Sequence, residues 1–346
     1  MSVGFLRYYA PSFDNKPGLK LRTMFAVAQL YDLDFFQFSP KDVDVEKKVI
    51  NGLFWDAETE SYVRRETPYP DIVDDQFSFR RKDPELYDEL KEHCYMTFMP
   101  LGRKTQIFNR IAKTDFAKYL IETHHFKDIE DIDSMLGEGK AVIIKPNNGG
   151  RGNDIFKLHK NEDNTYSLKT GEVTTNLTLD ELKSEYYSKF EERFIVQPFV
   201  DSLTDNGNPF DIRMHLRRAK DGKWSFALVY PRIGSSKGII SNVAKGGTIS
   251  YDVKSFLKQE IGDDWTRISK ELYHLAKKFP AAIQSFYRKR IDSLALDVAI
   301  HRSNGNEMKF FEVNTYPGVT HSPFESSEAS IQFYRYLLNR KEEGKL

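Results

Sequence analysis

Two stretches near the end of the chain decide its fold: Leu294-Ala295-Leu296-Asp297-Val298-Ala299-Ile300 and Phe310-Phe311-Glu312-Val313-Asn314. Both are apolar runs of the length typical of buried strands. Between them, Ser303-Asn304-Gly305-Asn306 has the composition of a tight turn. The sequence therefore predicts two neighbouring strands joined as a hairpin.

Polar residues within this hairpin predict a metal site. Asp297 interrupts an apolar strand, where an unpaired charge would be costly. Glu312 and Asn314 are two positions apart and project from one face, and pairing of the strands lets Asp297 face Glu312. Oxygen ligands on a rigid sheet suit Mg²⁺, which completes its shell with water and phosphates. The alternative is that Asp297 caps a turn or pairs with an arginine such as Arg290.

An earlier strand, 210–217, carries polar residues at every second position. A period of two places the following side chains on one face: Asp211, Arg213, His215 and Arg217. Cationic and polar groups near this strand suit a phosphate or a developing oxyanion. The candidates are Arg213, Arg232, Asn242, Lys245, Gly246 and Gly247. Solubility is the favoured explanation for Arg217 and Arg218.

Further upstream, a glycine-rich segment follows the predicted strand Val142-Ile143-Ile144-Lys145-Pro146. Its residues are Asn147-Asn148-Gly149-Gly150-Arg151-Gly152-Asn153. An ammonium beside flexible backbone N–H donors suits a polyphosphate, because glycine lets the backbone approach the oxygens closely. No Gly-Lys-Ser/Thr motif follows, so this is not a Walker loop. The alternative is an ordinary hairpin turn.

The remaining chain predicts a mixed α/β protein. Apolar spacing predicts helices over 109–124, 179–190, 268–279 and 326–340. The first hundred residues hold short apolar stretches separated by charged and proline-containing turns, as in an α/β domain.

Composition excludes several classes of protein. The chain has 346 residues, with 51 Lys+Arg and 51 Asp+Glu, so nothing supports a nucleic acid or an anionic membrane as its main partner. Its one cysteine, Cys94, cannot form an internal disulfide or a multi-cysteine zinc site and fits a reducing cytosol. No stretch approaches the roughly 20 apolar residues that span a bilayer.

Gly234-Ser235-Ser236-Lys237-Gly238 matches the nucleophile-elbow pattern of serine hydrolases. The elbow requires a helix after the serine, and 239–242 does not begin an amphipathic helix. A mobile loop is therefore favoured over a hydrolase that uses Ser236.

The histidines show no metal-ligand spacing. His215 remains a candidate site residue only because it shares a face with Arg213.

Taken in chain order, these segments resemble the ATP-grasp superfamily. Glu312-Val313-Asn314-Thr315-Tyr316-Pro317-Gly318 is similar to the Glu-x-Asn-Thr-x-Pro-Gly segment of D-alanine–D-alanine ligases. The loop from Ser241-Asn242 to Gly246-Gly247 is similar to that of ribosomal-protein glutamate ligases. Together with 36–44 and 50–55, these motifs resemble the YheC/YheD group of endospore coat-associated ATP-grasp proteins over nearly the whole chain.

The resemblance implies an α/β (α+β) ATP-grasp fold in three lobes. An N-terminal α/β domain would cover 1–108. A central lobe with the glycine-rich loop would cover 109–200, and a C-terminal lobe with the metal and phosphate site would cover 201–346. The last two lobes would enclose ATP.

The resemblance also implies residue roles. Lys145, with Lys104 as a second lysine, would contact the nucleotide phosphates, and a loop would close over them: Asn148, Gly149, Gly150, Arg151 and Gly152. Gln197 would approach the adenine amino group, and backbone at Phe199 and Val200 would complete the adenine slot. Mg²⁺ would be held by Asp297, Glu312 and Asn314. The transferring phosphoryl group would be supported by Arg213, Arg232, Asn242 and Lys245.

Three positions depart from the pattern. Gln197 stands where many relatives carry an acid, and Ile240 and Ala295 stand where some ligases carry an arginine. The identity of the oxyanion-stabilising group is therefore left open by the motif, and Arg232 is the expected residue.

The implied function is an ATP-dependent carboxylate–amine ligase that forms a peptide-type amide through an acyl phosphate and releases ADP and phosphate. Its substrates would be small-molecule or peptide acids and amines, without nucleic-acid or membrane partners, and its location would be cytoplasmic. Spore association and a homodimer are left open. The alternative is a nucleotide-binding, coat-associated protein that keeps the fold without ligase turnover.

Overall fold

The structure, a computed structural model, describes residues 1–7, 17–75, 79–127, 132, 135–136, 140–147, 154–190, 193–235, 238–241, 246–315 and 323–346. Within these residues the strands form three sheets. The helices are α1 (Leu19–Leu30), α2 (Phe79–Lys82), α3 (Pro84–His93), α4 (Lys104–Ile111), α5 (Leu179–Phe190), α6 (Val253–Ile261), α7 (Trp265–Gln284) and α8 (Pro323–Glu342). None of these described helices is both long enough and apolar enough to cross a membrane.

The first sheet mixes parallel and antiparallel strand pairs. It contains β1 (Ser2–Leu6), β2 (Asp34–Phe38), β3 (Val43–Asp44), β4 (Val49–Asp56), β5 (Ser61–Pro68), β6 (Ile72–Asp74) and β7 (Tyr95–Met96). Strands β2 and β6 pair in parallel with β1 from opposite sides, so the connections reverse direction at the carboxyl end of β1. Such a switch point is a common place for ligands. Arg7 and Asp74 lie there.

The second sheet is antiparallel and carries the predicted phosphate-binding lysine. It contains β8 (His124–His125), β9 (Ala141–Pro146), β10 (Phe156–Lys160), β11 (Tyr166–Thr170), β12 (Val173–Leu177) and β13 (Phe194–Pro198). Central β9 pairs with both β10 and β13. Val142 and Ile144 point into the apolar core beneath α5. Because side chains alternate, Ile143 and Lys145 project from the other face.

The third sheet carries the predicted metal hairpin. It contains β14 (Phe210–Arg218), β15 (Trp224–Ile233), β16 (Thr248–Ile249), β17 (Ser293–His301) and β18 (Glu307–Asn314), in the order β16-β15-β14-β17-β18. One face packs its apolar residues against α6 and α7. The opposite face therefore carries the polar residues of β14 and β17. Helix α8 packs against α1 and so joins the end of the chain to the first sheet.

The hairpin predicted between β17 and β18 is confirmed. Its turn contains Gly305 and Asn306, both with positive φ (61° and 56°), a conformation that glycine and asparagine adopt readily. The helix predicted over 109–124 is wrong, because α4 ends at Ile111. Thr114 Oγ1 donates to the Ile111 carbonyl over 2.7 Å, and such local bonds compete with helix continuation. Phe116 then packs into the core of the third sheet.

Candidate functional site

Asp297 lies on the polar face of the third sheet. It is 4 % exposed and is opposite Arg213 in the register. Arg213 Nη2 donates to Asp297 Oδ2 over 2.8 Å, and Arg213 Nε lies against Oδ1 without the alignment of a hydrogen bond. Arg232 Nη2 contacts the same Oδ2 at 2.9 Å. Asp297 thus pairs with two arginines, whereas Arg290 donates to the Tyr336 hydroxyl.

Asp211 fixes the second of these arginines. Arg232 Nε and Nη2 donate to the two carboxylate oxygens of Asp211 over 2.7 and 2.5 Å. This bidentate geometry sets the orientation of the guanidinium. The Ser241 hydroxyl donates to Asp211 Oδ2 over 2.6 Å, and both residues are buried. Asp211, Arg213, Arg232 and Asp297 are called the arginine cluster below.

Asp297 and Arg232 stay ionised despite their burial. Burial alone would raise the pKa of Asp297, but the charges of Arg213 and Arg232 outweigh it and hold that pKa below its ordinary value. Burial likewise opposes the charge of Arg232, and the carboxylates of Asp211 and Asp297 outweigh it and raise the pKa of the guanidinium. Both groups are therefore charged at neutral pH.

Glu312 is opposite Asp297 in the hairpin, as the sequence predicts. Side chains at directly opposite positions have Cβ atoms about 4.5–5.5 Å apart. Glu312 Oε1 pairs with Lys104 Nζ at 3.1 Å. Asn314 is opposite Ala295, one side-chain repeat further along the same face. The three predicted metal ligands therefore share one face of the hairpin.

Lys145 reaches this hairpin from the second sheet. A β-bulge after Asp297 leaves Phe311 without a partner in the register, so its carbonyl is available to another group. Lys145 Nζ donates to that carbonyl over 3.3 Å. Lys145 is only 8 % exposed, and burial followed by the charge of Lys104 lowers its pKa to about 8. The two predicted lysines thus lie beside the predicted metal ligands.

Asn147 opens the predicted glycine-rich segment, but the sequence analysis assigned it no role of its own. Its Oδ1 accepts from the backbone N–H of Thr105 over 3.2 Å, and its Nδ2 donates to Thr105 Oγ1 over 3.1 Å. Its carbonyl accepts from the backbone N–H of Lys104 over 3.4 Å. Asn147 therefore ties the start of α4, with Lys104, to the end of β9. Sequence alone gave no signal, because one asparagine after a strand is typical of any loop.

The predicted adenine-binding residues lie in β13 and directly after it. Gln197 is 2 % exposed, and its Nε2 donates to Thr123 Oγ1 over 2.8 Å. The backbone N–H of Phe199 donates to the Ala141 carbonyl over 2.8 Å. Val200 belongs to a small apolar cluster with Ile121, Ala299 and Phe311. This cluster adjoins the Lys145 contact, and the adenine roles stay predictions.

Several predicted residues lie outside the part of the chain that the structure describes. They are Asn148, Gly149, Gly150, Arg151, Gly152, Asn242 and Lys245. Ser236 of the hydrolase alternative is also among them. Their roles stay predictions.

The donor set fits Mg²⁺ with a polyphosphate better than Mg²⁺ alone. The ligand candidates on the hairpin are two carboxylates and an amide, all oxygen donors of the kind this ion prefers. Among the described residues, the surrounding cations (Lys104, Lys145, Arg213 and Arg232) outnumber the carboxylates (Asp211, Asp297 and Glu312) by one. This excess positive charge suits an anion that brings the metal with it.

A cavity of about 1170 Å³ lies away from these charged groups. It is bordered by β8 and by residues near the end of β17, including His124, Phe199, Asp201 and His301. None of the arginine cluster lines it, nor do Lys145 or Glu312. The charged centre, where titratable groups converge, is the candidate phosphate site, and the cavity borders Phe199 of the predicted adenine slot.

Comparison with known proteins identifies relatives of the chain. The profile of the YheC/D-like ATP-grasp family matches residues 96–340, more than half of the sequence. The chain is 24 % identical over 301 residues to the endospore coat-associated protein YheD of Bacillus subtilis, covering 82 % of this chain and 64 % of YheD. It is 21 % identical over 322 residues to the endospore coat-associated protein YheC of the same organism, covering 90 % of this chain and 88 % of YheC.

Solved structures share the fold at low identity. The D-cycloserine synthetase DcsG matches with a TM-score of 0.55 and 11 % identity, over 98 % of this chain and 99 % of DcsG. The N5-carboxyaminoimidazole synthetase of Staphylococcus aureus, complexed with ADP, matches with a TM-score of 0.51 and 12 % identity, over 95 % and 76 % of the two chains. The predicted mixed α/β ATP-grasp fold is confirmed.

Proposed function

The chain belongs to the YheC/D-like ATP-grasp family, and from this premise we propose that it is an ATP-dependent carboxylate–amine ligase. ATP would phosphorylate a carboxylate, and an amine would then displace phosphate to form an amide. Amide formation from a free carboxylate is uphill in water, so the coupling gives the nucleotide a chemical purpose. Two enzymes of the same fold are named synthetases, and one of them is complexed with ADP.

One observation carries the proposal: lysines of two different elements meet the acidic hairpin of the third sheet. Lys145 lies at the end of β9 and Lys104 at the start of α4, and they contact Phe311 and Glu312 of β18. The lysines would neutralise the phosphates of a metal-bound polyphosphate, and the oxygen donors would bind its metal.

The roles follow from charge and reach. Asp297, Glu312 and Asn314 would hold Mg²⁺. When bound, this ion neutralises charge on the phosphate oxygens and favours transfer of the phosphoryl group from ADP. Lys145 and Lys104 would bind the phosphates. Binding an anion restores the favourable environment that burial denies Lys145.

Arg232 is the proposed oxyanion-stabilising group. Its Nε and Nη2 are held by Asp211 and Asp297, so the guanidinium is fixed beside the predicted metal ligands. A guanidinium already held in place costs little reorganisation when charge develops on a transferring phosphoryl group. Arg213, paired with Asp297, would neutralise the same region.

The reaction balances without a further co-reactant. A carboxylate oxygen bonds to the γ-phosphorus of ATP while the bond to ADP breaks. The amine nitrogen then bonds to the acyl carbon, phosphate leaves, and the nitrogen loses a proton to solvent.

For location we propose the cytoplasm with spore association, because both curated relatives are named endospore coat-associated.

The test is a screen of amino acids and short peptides, in pairs, for stimulated ADP release, with mass spectrometry of the products. We expect at least one pair to give stoichiometric ADP, phosphate and amide, and Glu312→Gln to abolish all three. The matched control is Lys223→Gln, which changes a lysine 85 % exposed in the β14–β15 turn. ATP binding without ADP release from any pair would instead support the nucleotide-binding, coat-associated alternative.

A further inference from the structure

Gln197 lies on the face of the second sheet from which Lys145 projects. It is opposite Ile143 in the register of β13 with β9, and Ile143 shares its face with Lys145. From that face Lys145 reaches the carbonyl of Phe311 in the third sheet. Gln197 therefore projects to the same side of the second sheet as the predicted phosphate-binding lysine.

Thr123, which directly precedes β8, holds the side-chain amide of Gln197. Gln197 Nε2 donates to Thr123 Oγ1 over 2.8 Å, and Thr123 Oγ1 donates to the Ile121 carbonyl over 2.8 Å. Gln197 is 2 % exposed, and a buried hydrogen bond is electrostatically stronger than one in water. The amide is thus tied to the backbone through one hydroxyl group.

The direction of these two bonds decides which end of the amide meets Thr123. A carbonyl oxygen carries no proton, so the hydroxyl proton of Thr123 lies in the bond to Ile121. Because a threonine hydroxyl has only one proton, Oγ1 must accept in its bond with Gln197. Only the Nε2 end of the amide can donate that bond. Oε1, an acceptor, is therefore the end that is not bonded to Thr123.

Apolar groups and open space adjoin this pair of residues. Ile121, at the end of the hydrogen-bonded chain, belongs to the buried apolar cluster with Val200 and Ala299. The cavity of about 1170 Å³ is lined by Thr123 and Phe199, among others. Ligand pockets are typically apolar, with a few placed polar groups that fix the orientation of the ligand. One oriented amide beside an apolar cluster suits a purine base.

We propose that Thr123 is a positioning residue that selects the nucleotide base through Gln197. With Nε2 held by Thr123, Oε1 accepts a hydrogen bond from the exocyclic amino group of a 6-amino purine. A 6-oxo purine places an oxygen against the same acceptor, which weakens its binding. This inference rests on the proposed function, because it concerns the base of the nucleotide that the ligase would use.

Glutamine needs such a positioning residue because its two ends have opposite hydrogen-bonding character. Rotating the amide by half a turn exchanges the acceptor Oε1 for the donor Nε2, and a donor would serve a 6-oxo purine instead. A carboxylate has no such ambiguity, since both of its oxygens accept. Thr123 thus determines the preference of Gln197, whereas it would not determine that of a glutamate.

The test compares ATP with ITP, whose base carries an oxygen in place of the 6-amino group. Both are titrated calorimetrically with Mg²⁺ into the full chain. We expect ATP to bind at least about tenfold more tightly, the effect of one hydrogen bond gained against one acceptor left unpaired. Thr123→Val frees the amide to rotate, and the ratio falls to about threefold or less. Thr123→Ser keeps the hydroxyl and restores the ratio, and Thr174→Val, an exposed change in β12, leaves it unchanged.

A second background separates orientation of the amide from packing. In Gln197→Glu both terminal atoms accept, so adding Thr123→Val should leave the ATP-to-ITP ratio of Gln197→Glu unchanged. Thr123→Ala replaces Thr123→Val in both backgrounds if the valine variant does not fold.

Three results would overturn the proposal. They are equal affinities for ATP and ITP in the unmodified chain, an unchanged ratio in a folded variant that lacks the Thr123 hydroxyl, and an equal fall of the ratio in the Gln197→Glu background. A folded chain that binds neither nucleotide would instead contradict the proposed function.

Discussion

The arginine cluster and a second group, the distal cluster of Arg7, Lys20, Asp74, Arg217 and Asp292, are buried charge groups that differ in how well they are paired. In the arginine cluster, Arg232 makes bidentate bonds of 2.7 and 2.5 Å to Asp211. In the distal cluster, Arg217 lies 3.6 Å from Asp292, and its Nε has no partner among the described residues. Arg232 is therefore fixed before any ligand binds, although Arg213 Nε and Asp297 Oδ1 lack aligned hydrogen bonds, whereas the Arg217–Asp292 pair is long. We infer that the more tightly paired cluster serves the chemistry.

The largest expected effect is on turnover when the arginine cluster loses its metal ligand. Asp297→Asn removes a charged ligand and leaves Arg213 and Arg232 with one fewer carboxylate. We expect ADP release to fall by about 10²–10³-fold, the usual cost of removing one electrostatic stabiliser. Asp292→Asn, the matched change in the distal cluster, should reduce turnover less. ADP release within twofold of the unmodified chain in Asp297→Asn would refute the metal assignment.

The second largest expected effect is on the free energy of unfolding, which should differ between variants of the two clusters. Asp211→Asn removes the charge that pairs with Arg232 in a buried site, and should lower the free energy of unfolding by about 3–5 kcal/mol. Asp292→Asn should cost only about 1 kcal/mol, because burial already raises the pKa of Asp292 and its pair with Arg217 is long. Urea unfolding at pH 7 measures both. Equal losses of stability in the two variants would contradict the proposed difference in pairing between the clusters.

The third effect is on pH dependence. The pKa of Lys145 is about 8 in the folded protein and 10.5 when unperturbed, so the unfolded chain holds more protons between these values. Stability without nucleotide should therefore rise with pH across that window. Nucleotide affinity should fall about fivefold from pH 8 to pH 9, because the charged fraction of Lys145 falls from about one half to about one eleventh.

Lys20 is the control for this pH effect, because its pKa is also about 8 but it belongs to the distal cluster. Lys145→Met should remove most of the pH dependence of nucleotide binding, and Lys20→Met should leave it in place. The same slope in Lys145→Met as in the unmodified chain would contradict the phosphate-binding role.

The smallest expected effect concerns the hydrogen bonds that join the end of β9 to the start of α4. Asn147→Ala removes two hydrogen bonds to Thr105 and should cost about 1–2 kcal/mol of stability and about threefold to tenfold of nucleotide affinity. Asn161→Ala removes a similar contact to Thr165 in the β10–β11 turn. This control should lose stability without losing affinity. Equal affinity in both variants would show that the tie does not position Lys104.

Sequence reasoning recovered the elements whose signal is local. The hairpin around Gly305, with Asp297 facing Glu312, follows from strand periodicity and turn composition, because a period of two fixes which side chains share a face. The helix expected over 109–124 failed because Phe116 packs into a core built from distant segments. Periodicity carries no information about such tertiary contacts.

The site was recovered only in part, for the same reason. Lys145, Glu312 and Asp297 stand out as charges at the ends or in the middle of apolar strands. Asp211 as the bidentate partner of Arg232 depends on the pairing of two strands, and the tie from Asn147 to Thr105 depends on how α4 docks on the second sheet. Arg217 was explained by solubility, because its partners come from the first sheet and α8.

The most direct test of the central claim is the affinity for ATP, measured calorimetrically with and without Mg²⁺. If the nucleotide lies between Lys145 and the β17–β18 hairpin, the unmodified chain binds ATP more tightly with Mg²⁺, and Glu312→Gln loses this gain while keeping metal-free binding. Lys223→Gln should behave like the unmodified chain. A folded protein that gives no heat with ATP and Mg²⁺, or a Glu312→Gln variant that keeps the full magnesium gain, would contradict the account.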